Sequence, residues 1–389
     1  MPILDPDRLF PLDPASRKIA RDLYETITDL PIISPHGHTD PIWFAQNEAF
    51  PDPAQLFITP DHYVFRMLFS QGVPLEALGV ARKDRPPVAP DSREIWRIFA
   101  KHYYLFRGTP SQLWMDHALA NVFDVTRPLN ADTADEIYDH VAVCLKNAAF
   151  RPRALFDRFN VEVIATTDAA LDPLDHHQTI RDADWHGRVV PTYRPDAVID
   201  PDTPNFVTNI AVLGEQTRQD TQTWSGYLQA HRIRRAFFKS RGATATDHGH
   251  ADPMTADLDP SVAAALFDKI LNGASTPQDN AVFRAQMLTE MAGMSVEDGL
   301  VMQLHPGSHR NHSPTILHMF GADKGFDIPK AVDYATALKP LLNKHGLSPD
   351  LTLIVFTLDE TTYARELAPL AGVYPALKLG PAWWFFDSP

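Results

Sequence analysis

Two histidines separated by one glycine are the most chemically suggestive feature of this 389-residue sequence. They follow an apolar run in the segment Ile32-Ile33-Ser34-Pro35-His36-Gly37-His38. In an extended strand, residues i and i+2 point to the same face, so His36 and His38 can converge on one ion. The glycine between them leaves room for the backbone to approach that ion. Two imidazoles at the carboxyl end of a strand suit zinc or another divalent transition metal.

Further polar groups follow the later candidate strands, at the strand ends where barrel enzymes place their chemistry. These segments are Ala165-Thr166-Thr167-Asp168, Thr192-Tyr193-Arg194-Pro195-Asp196, Thr246-Asp247-His248-Gly249-His250, Gln303-Leu304-His305 with Arg310-Asn311, and Thr357-Leu358-Asp359. The guanidinium fork matches a carboxylate, which makes Arg194 and Arg310 candidates for binding an anion. The pattern predicts a polar pocket for an anion beside a metal.

Strand-like and helical segments alternate after residue 160, which predicts an α/β fold with a parallel sheet and right-handed crossovers. After a first strand that leads into His36, the candidate strands are Val161–Thr166, Val189–Thr192, Ala243–Thr246, Val301–His305, Leu351–Phe356 and Ala376–Trp384. A closed TIM-like (β/α)8 barrel needs an eighth strand. We expect that strand to be missing from this chain; an overlooked strand or an open sheet are the alternatives.

The segment from about residue 41 to residue 160 is helical and rich in aromatic side chains. We therefore expect residues 41–160 to form a helical cap inserted after the first strand. Residues 1–40 and 161–389 are then the barrel domain. Among the later helical segments we place Ile328–Lys344 and Glu360–Ala371.

Bulk composition excludes several classes of function. A formal net charge of −14 argues against a general binder of nucleic acid or anionic membranes. The single cysteine, Cys144, excludes an internal disulfide, fits a reducing compartment and is expected as a buried helical thiol. No apolar run reaches the roughly 20 residues of a membrane span, and the N-terminus lacks the pattern of a signal peptide. We expect a cytoplasmic protein.

The ordered set of motifs resembles the uronate isomerases (glucuronate isomerase), divergent members of the amidohydrolase superfamily. Besides the strand-end segments, the matching pieces are Asp61-His62-Tyr63 and Trp383-Trp384-Phe385. The resemblance implies reversible aldose–ketose isomerisation of D-glucuronate to D-fructuronate and of D-galacturonate to D-tagaturonate. It also implies a distorted (β/α)8 barrel with a helical insertion after the first strand, a small-molecule uronate substrate and a homo-oligomer.

The resemblance also implies a divalent metal, often zinc, bound by His36, His38 and an aspartate after the eighth strand. That aspartate belongs to an Asp-x-Arg motif to which the C2-to-C1 proton transfer is assigned, and no such motif follows the seventh candidate strand here. As catalytic residues we expect His62, which assists ring opening, and Tyr63, which donates a proton.

Substrate contacts are expected from two arginines, one aspartate and two histidines: Arg194, Arg310, Asp247, His248 and His305. Asp247 and His248 can alternatively form an orienting pair. We expect Asp168 and Asp196 to cap helices or orient pocket arginines, and His250 and His309 to be solvated loop residues. Trp383 and Trp384 suit a core or pocket wall.

Each residue also has a structural interpretation, such as hydrogen-bonded strand-end histidines, core packing for Tyr63 and surface ion pairs for the two arginines. Two other functions stay open on these grounds. One is a metal-dependent hydrolase of an amide, lactone or ester, although the sixth strand lacks the histidine that such enzymes usually carry there. The other is a catalytically incomplete barrel fragment that binds metal or sugar acid without turnover.

Overall fold

The computed structural model describes residues 4–86 and 91–382. Its strands are β1 (Ile32–Ser34), β2 (Val161–Ala165), β3 (Asp168–Ala169), β4 (Arg188–Val190), β5 (Tyr193–Arg194), β6 (Ala245–His248), β7 (Val301–Leu304), β8 (Ser308–His309), β9 (Ile328–Pro329), β10 (Leu353–Thr357) and β11 (Leu377–Ala382). Except for the antiparallel pair β8–β9, all pairings between these strands are parallel. The predicted α/β class with a parallel sheet is therefore confirmed.

Two of the parallel strands are interrupted, so β2 with β3 and β4 with β5 each occupy one position in the sheet. The pairing continues across the interruptions, because the amide of Thr166 donates to the carbonyl of Val190 at 2.9 Å and that of Asp168 to Thr192 at 3.1 Å. The positions then run in chain order from β1 through β2/β3, β4/β5, β6, β7 and β10 to β11. Parallel neighbours place all their carboxyl ends at one edge, which is where the predicted site residues lie.

The sheet is strongly curled. In a flat sheet β1 and β7 would lie four strand spacings apart, which is about 19 Å. Instead the ring of His36, just after β1, lies 4.3 Å from the ring of His305, just after β7. The side-chain amide of Gln303 on β7 also donates to the carbonyl of Pro35 at 3.3 Å. The curl, an extension of the normal twist of sheets, brings distant strand ends together.

Helices fill the connections between the strands. They are α1 (Pro14–Glu25), α2 (Pro41–Gln46), α3 (Pro53–Phe57), α4 (His62–Ser70), α5 (Ser92–His102), α6 (Pro110–His117), α7 (Ala134–Leu145), α8 (Pro152–Arg158), α9 (Asp175–Asp182), α10 (Asp196–Ile199), α11 (Phe206–Thr217), α12 (Trp224–Ser240), α13 (Pro260–Leu271), α14 (Pro277–Asp298), α15 (Pro314–Phe320), α16 (Tyr334–Ala337), α17 (Lys339–His345) and α18 (Ala368–Val373). Across residues 4–86 and 91–382, no helix is both long enough and apolar enough to cross a bilayer.

The helices between β1 and β2 pack around an apolar cluster of their own. Trp96 on α5 is completely buried there, and its indole nitrogen donates to the carbonyl of Ala134 at 3.0 Å. Ile316 and Phe320 of α15 also belong to this cluster, so it extends to a helix that follows β7. The other large cluster lies between the sheet and its covering helices. The expected domain boundaries at residues 40 and 160 stay a prediction.

Some expected elements differ from the structure. The helix expected over Ile328–Lys344 is wrong at its start, because residues 328–329 form β9 and only α16 and α17 are helical. Antiparallel pairing with β8 determines the extended conformation of residues 328–329. The amide of Lys330 also donates to the carbonyl of Gly307 at 2.7 Å. Cys144 lies on α7 as expected but is only half-buried. The end of the seventh candidate strand, with Trp383, Trp384 and Phe385, lies outside the described residues.

Candidate active site

A stack of three rings forms the centre of the curled sheet edge. The ring of His305 stacks on that of His36, at 4.3 Å, and on that of Phe356 on β10, at 3.9 Å, while the rings of His36 and Phe356 lie 6.3 Å apart. Gly380 on β11 makes room for this stack, since a Cβ atom there would lie 2.5 Å from the Phe356 ring. The stack brings together groups from three strand positions that are far apart in the sequence.

Asp247 and His305 form a buried hydrogen-bonded pair. Asp247 on β6 is buried, with 1% of its surface exposed, and its Oδ1 accepts a hydrogen bond from Nδ1 of His305 at 2.5 Å. Burial alone raises the pKa of Asp247, but the hydrogen bond from His305 and the positive charges nearby outweigh it and hold this pKa well below its usual range. The carboxylate is therefore ionised and can only accept, so the hydrogen of this pair is on Nδ1 of His305.

The donor atoms of His36, Asp247 and His305 lie within 4.8 Å of one another and could hold a metal ion. Among the described residues, Nδ1 of His36 is buried and lacks a hydrogen-bond partner. Burial lowers the pKa of His36 to about 4 although the charge of Asp247 opposes this, so the ring is neutral as a ligand must be. Two imidazoles and one carboxylate fit a divalent transition ion.

His38 lies beside this group, with its ring centroid 5.2 Å from that of His36. Burial lowers the pKa of His38, and the charges of Arg194 and Arg310 lower it further. Both guanidinium groups therefore act electrostatically on the same imidazole. The structure thus brings the predicted histidines and arginines to one edge of the sheet, while the ligand role of His38 stays a prediction.

Arg194 is held between two carboxylates. Its Nε donates to Oδ2 of Asp196 at 2.8 Å, and its Nη1 lies 3.3 Å from Oδ2 of Asp247. Burial alone lowers the pKa of Arg194, but the charges of Asp196 and Asp247 outweigh it and raise this pKa above its ordinary value. A Cβ atom on Gly249 would lie only 2.1 Å from Nη2, so the guanidinium packs directly on this glycine. Asp196 orients Arg194, as the sequence suggests.

Arg310 is partly exposed and comes from the loop after β8. Its Nη1 donates to Oδ2 of Asp327 at 3.4 Å, while Oδ1 of Asp327 accepts from the amide of Asn311 at 2.6 Å. Asp327 therefore ties the arginine to its own loop. Sequence reasoning does not identify Asp327, because nothing in its local sequence indicates a partner 17 residues earlier.

His62 and Tyr63 begin α4, on the inserted helices. The side chain of Asp61 caps this helix by accepting from the amides of Tyr63 at 2.9 Å and Val64 at 3.3 Å. Burial lowers the pKa of His62 and raises that of Tyr63, so at neutral pH the imidazole is neutral and the phenol protonated. The charge of Arg310 lowers the pKa of Tyr63, opposing burial, which places α4 within electrostatic reach of the sheet edge.

Two further expectations are wrong. His250 is not a solvated loop residue but is 4% exposed, because the chain turns after β6 and stacks its ring 6.3 Å from that of His248. Within the described part of the chain, Asp168 neither caps a helix nor contacts an arginine; it accepts from the hydroxyl of Thr166 at 2.8 Å, and that hydroxyl also lies 2.8 Å from Nε2 of His177. Burial raises the pKa of Asp168 to about 6. His309 is exposed, as expected.

His248 is completely buried at the end of β6. Its Nε2 lies 3.2 Å from the hydroxyl of Thr246, and burial lowers the pKa of His248 to about 3. Contact between His248 and a substrate stays a prediction. Phe356 and Gly249 shape the site, but their local sequence does not mark them as site residues. Gly249 does lie within the segment Thr246-Asp247-His248-Gly249-His250 that the sequence analysis selects.

Comparison with known families decides the class of this chain. The family model described as glucuronate isomerase matches residues 12–389. This chain belongs to the glucuronate isomerase family. It is therefore an aldose–ketose isomerase acting on uronates, which confirms the resemblance and argues against the hydrolase alternative.

Relatives and solved structures agree with this assignment. The chain is 64% identical to the uronate isomerase of Mesorhizobium japonicum over 387 residues, which are 100% of this chain and 82% of that protein. It is 63% identical to the Rhizobium meliloti uronate isomerase, covering 99% of this chain and 82% of the relative. The crystal structure of glucuronate isomerase from Caulobacter crescentus superposes with a TM-score of 0.96 at 55% identity, covering 100% and 81%. The crystal structure of uronate isomerase from Thermotoga maritima superposes with a TM-score of 0.90 at 27% sequence identity. The match covers 99% of this chain and 82% of that chain.

Proposed function

We propose that this protein interconverts D-glucuronate with D-fructuronate and D-galacturonate with D-tagaturonate, by proton transfer through a cis-enediol. One observation carries the proposal: an ionised arginine, Arg194, is fixed beside the His36–Asp247–His305 group. A cation next to two imidazoles and a carboxylate suits a sugar that carries its own carboxylate. The family assignment gives the reaction class, and this geometry supports the roles proposed below for the residues of the site.

The substrate carboxylate is bound by Arg194 and Arg310. A guanidinium presents two parallel donors to a carboxylate, and such charge-assisted pairs are about twice as strong as neutral hydrogen bonds. Arg194 is oriented in advance by Asp196 and Asp247, so little conformational entropy is lost when the substrate binds. Arg310, which is partly exposed, contacts the carboxylate or a hydroxyl from the other side.

A divalent ion, for which zinc is the suitable choice, is held by His36 and His38 with Asp247 and His305. Such an ion would supply a Lewis acid for the substrate oxygens. The fit depends on the neutral His36 ring and the buried, ionised Asp247. These side chains otherwise bind and orient the substrate, and the Asp247 carboxylate holds the His305 ring in place.

His62 and Tyr63 handle protons on the substrate oxygens. The neutral imidazole of His62 accepts the proton of the anomeric hydroxyl as the sugar ring opens, and the protonated phenol of Tyr63 donates to the ring oxygen. Nδ1 of His305 is bonded to Asp247, so Nε2 serves one partner at a time: the ion when it is bound, and otherwise a substrate hydroxyl. Positioned acids and bases of this kind typically accelerate a reaction by about 10²–10⁴-fold each.

We also propose that the parallel strands belong to a (β/α)8 barrel and that residues 41–160 form its cap. The curl of the sheet edge supports the barrel, and the separate apolar cluster supports the cap. The homo-oligomeric state, the cytoplasmic location and the absence of nucleic-acid and membrane partners stay predictions.

The test is to incubate the purified protein with D-glucuronate in D₂O and follow the mixture by ¹H NMR. We expect the signals of the aldose to decrease and those of D-fructuronate to appear. Incubation with a panel of lactones and amides serves as the comparison. Hydrolysis of a lactone without ketose formation would support the hydrolase, and uronate binding without turnover would support the incomplete fragment; either result contradicts the proposal.

A further inference from the structure

A second group of metal-ligating side chains lies next to the first but shares no residue with it. Asp196 follows β5, His248 ends β6 and His250 comes two residues later. One donor atom from each lies within 4.8 Å of the others. The group is built by two neighbouring strand ends, and the proposed isomerase mechanism gives no role to His250.

The imidazole nitrogens of this group are buried and unsatisfied. His248 is 0% exposed and His250 is 4% exposed. Within residues 4–86 and 91–382, neither Nδ1 of His248 nor Nε2 of His250 has a hydrogen-bond partner. Native proteins pair about nine in ten or more of such buried polar atoms. Two unpaired nitrogens beside a carboxylate therefore indicate a missing ligand.

The neighbours of these side chains suit metal binding. The hydroxyl of Thr246 lies 3.2 Å from Nε2 of His248. When this hydroxyl accepts from Nε2–H, the lone pair of the ring is on Nδ1, the unsatisfied atom. Ligating histidines commonly have their second nitrogen fixed in this way.

Asp196 has remaining capacity for an ion. Its carboxylate accepts from Nε of Arg194 at 2.8 Å and from the amide of Gly249 at 3.3 Å. A carboxylate offers about four lone-pair sites, so these contacts do not exhaust it. Two imidazoles and one carboxylate favour zinc or a similar transition ion over calcium or magnesium, which prefer oxygen ligands.

We infer that Asp196, His248 and His250 bind a second divalent transition-metal ion, separate from the ion proposed at His36, Asp247 and His305. Because Asp196 also holds Arg194, the second ion fixes the position of this arginine. The inference goes beyond the proposed function and does not depend on which sugar acid is the substrate.

Metal stoichiometry tests this inference. The protein is stripped with a chelator, dialysed against Zn²⁺, passed through a desalting column and analysed for zinc per chain by mass spectrometry. We expect two zinc ions per wild-type chain and one in His250→Gln. His309→Gln, a change of an exposed histidine, is the matched control and retains two. His36→Asn also retains one, the ion of the second group.

Saturation of the wild-type chain at one ion that is lost in His36→Asn would overturn the inference. Retention of both ions in a folded His250→Gln protein would overturn it equally. If His250→Gln fails to fold, titration of His36→Asn with Co²⁺ replaces it, and a lack of d–d absorption bands in that variant contradicts a second site. A chain that binds two ions but converts no uronate would refute the proposed function and leave this inference standing.

Discussion

Neighbouring groups hold the guanidinium of Arg194 in place. Asp196 and Asp247 bind the guanidinium from two sides, and Gly249 leaves the space that Nη2 occupies. The site therefore depends on a glycine, Gly249, that has no functional side chain of its own. Any side chain at this position competes directly with the arginine for space.

Replacement of Gly249 by alanine should displace Arg194. The added Cβ would lie 2.1 Å from Nη2, so the guanidinium must move away from the substrate carboxylate. We expect KM for D-glucuronate to rise about tenfold or more, on the scale of a lost charge-assisted hydrogen bond. Steady-state kinetics measure this change. Gly372→Ala is the control, since a Cβ there meets no atom within 4 Å, and an unchanged KM in Gly249→Ala would contradict the account.

Residue types and their spacing are enough to predict much of the site. His36 and His38 follow a strand, and the arginines follow later strands, so their convergence at one sheet edge follows from parallel topology. The pairing of Asp247 with His305 across 58 residues is not predictable in this way, because it depends on side-chain direction. The burial of His250 also depends on how the chain turns after β6, which local sequence does not determine.

At the scale of elements, α4 is the link between the inserted helices and the sheet edge. Its first residues are His62 and Tyr63, and its start is fixed by the cap from Asp61. Gly325 lies against this end of the helix, since a Cβ there would lie 2.9 Å from the carbonyl of His62. The position of both catalytic candidates therefore depends on one capping aspartate and one loop.

Asp61→Ala should lower activity more than stability. Loss of an N-cap typically costs about 1 kcal/mol, while the shift of His62 and Tyr63 should lower kcat/KM by about tenfold or more. Asp91→Ala is the matched control, because Asp91 caps α5 in the same way, with the amide of Arg93 at 3.0 Å. Thermal melts and kinetics are compared for both variants. Equal kinetic losses in the two would show that α4 has no special role.

Most elements are predictable from the sequence because their boundaries carry local signals. Strand-like segments that alternate with helical ones after residue 160 predict the parallel strands. The strand β9 is an exception, since Ile328 and Pro329 form a strand only through pairing with β8. Such pairing is a tertiary effect that local propensity does not report.

At the scale of the whole molecule, buried neutral histidines make stability depend on pH. His231 is completely buried, its Nδ1 lies 2.8 Å from the hydroxyl of Tyr193, and burial lowers its pKa to about 3. In the unfolded chain a histidine has a pKa of about 6.5. Between these values the unfolded state binds more protons than the folded state, so the free energy of unfolding falls as pH falls from 6.5 to 3.

His231→Gln should reduce this pH dependence. Because of His231, the free energy of unfolding of the wild type should fall by about 2 kcal/mol between pH 6.5 and pH 5, with a limiting slope of about 1.4 kcal/mol per pH unit. The variant should lack this contribution. Urea unfolding at several pH values measures the difference. His186→Gln, which changes a side chain that is 80% exposed, is the control and should follow the wild type. An identical pH slope in His231→Gln would contradict the prediction.

We propose that the curled sheet brings Arg194 and Arg310 to the substrate carboxylate beside the His36 group. The measurement that tests this is kcat/KM for D-glucuronate in Arg194→Met and Arg310→Met, with folding checked by circular dichroism. Arg93→Met, which removes a surface ion pair with Asp135, is the control. Loss of a buried, hydrogen-bonded charge pair typically costs about 2–5 kcal/mol, so we predict a fall of about a hundredfold or more in Arg194→Met. Arg310 is partly exposed, so we predict a smaller fall, of about tenfold, in Arg310→Met and none in the control. Wild-type kcat/KM in either folded variant would contradict the account.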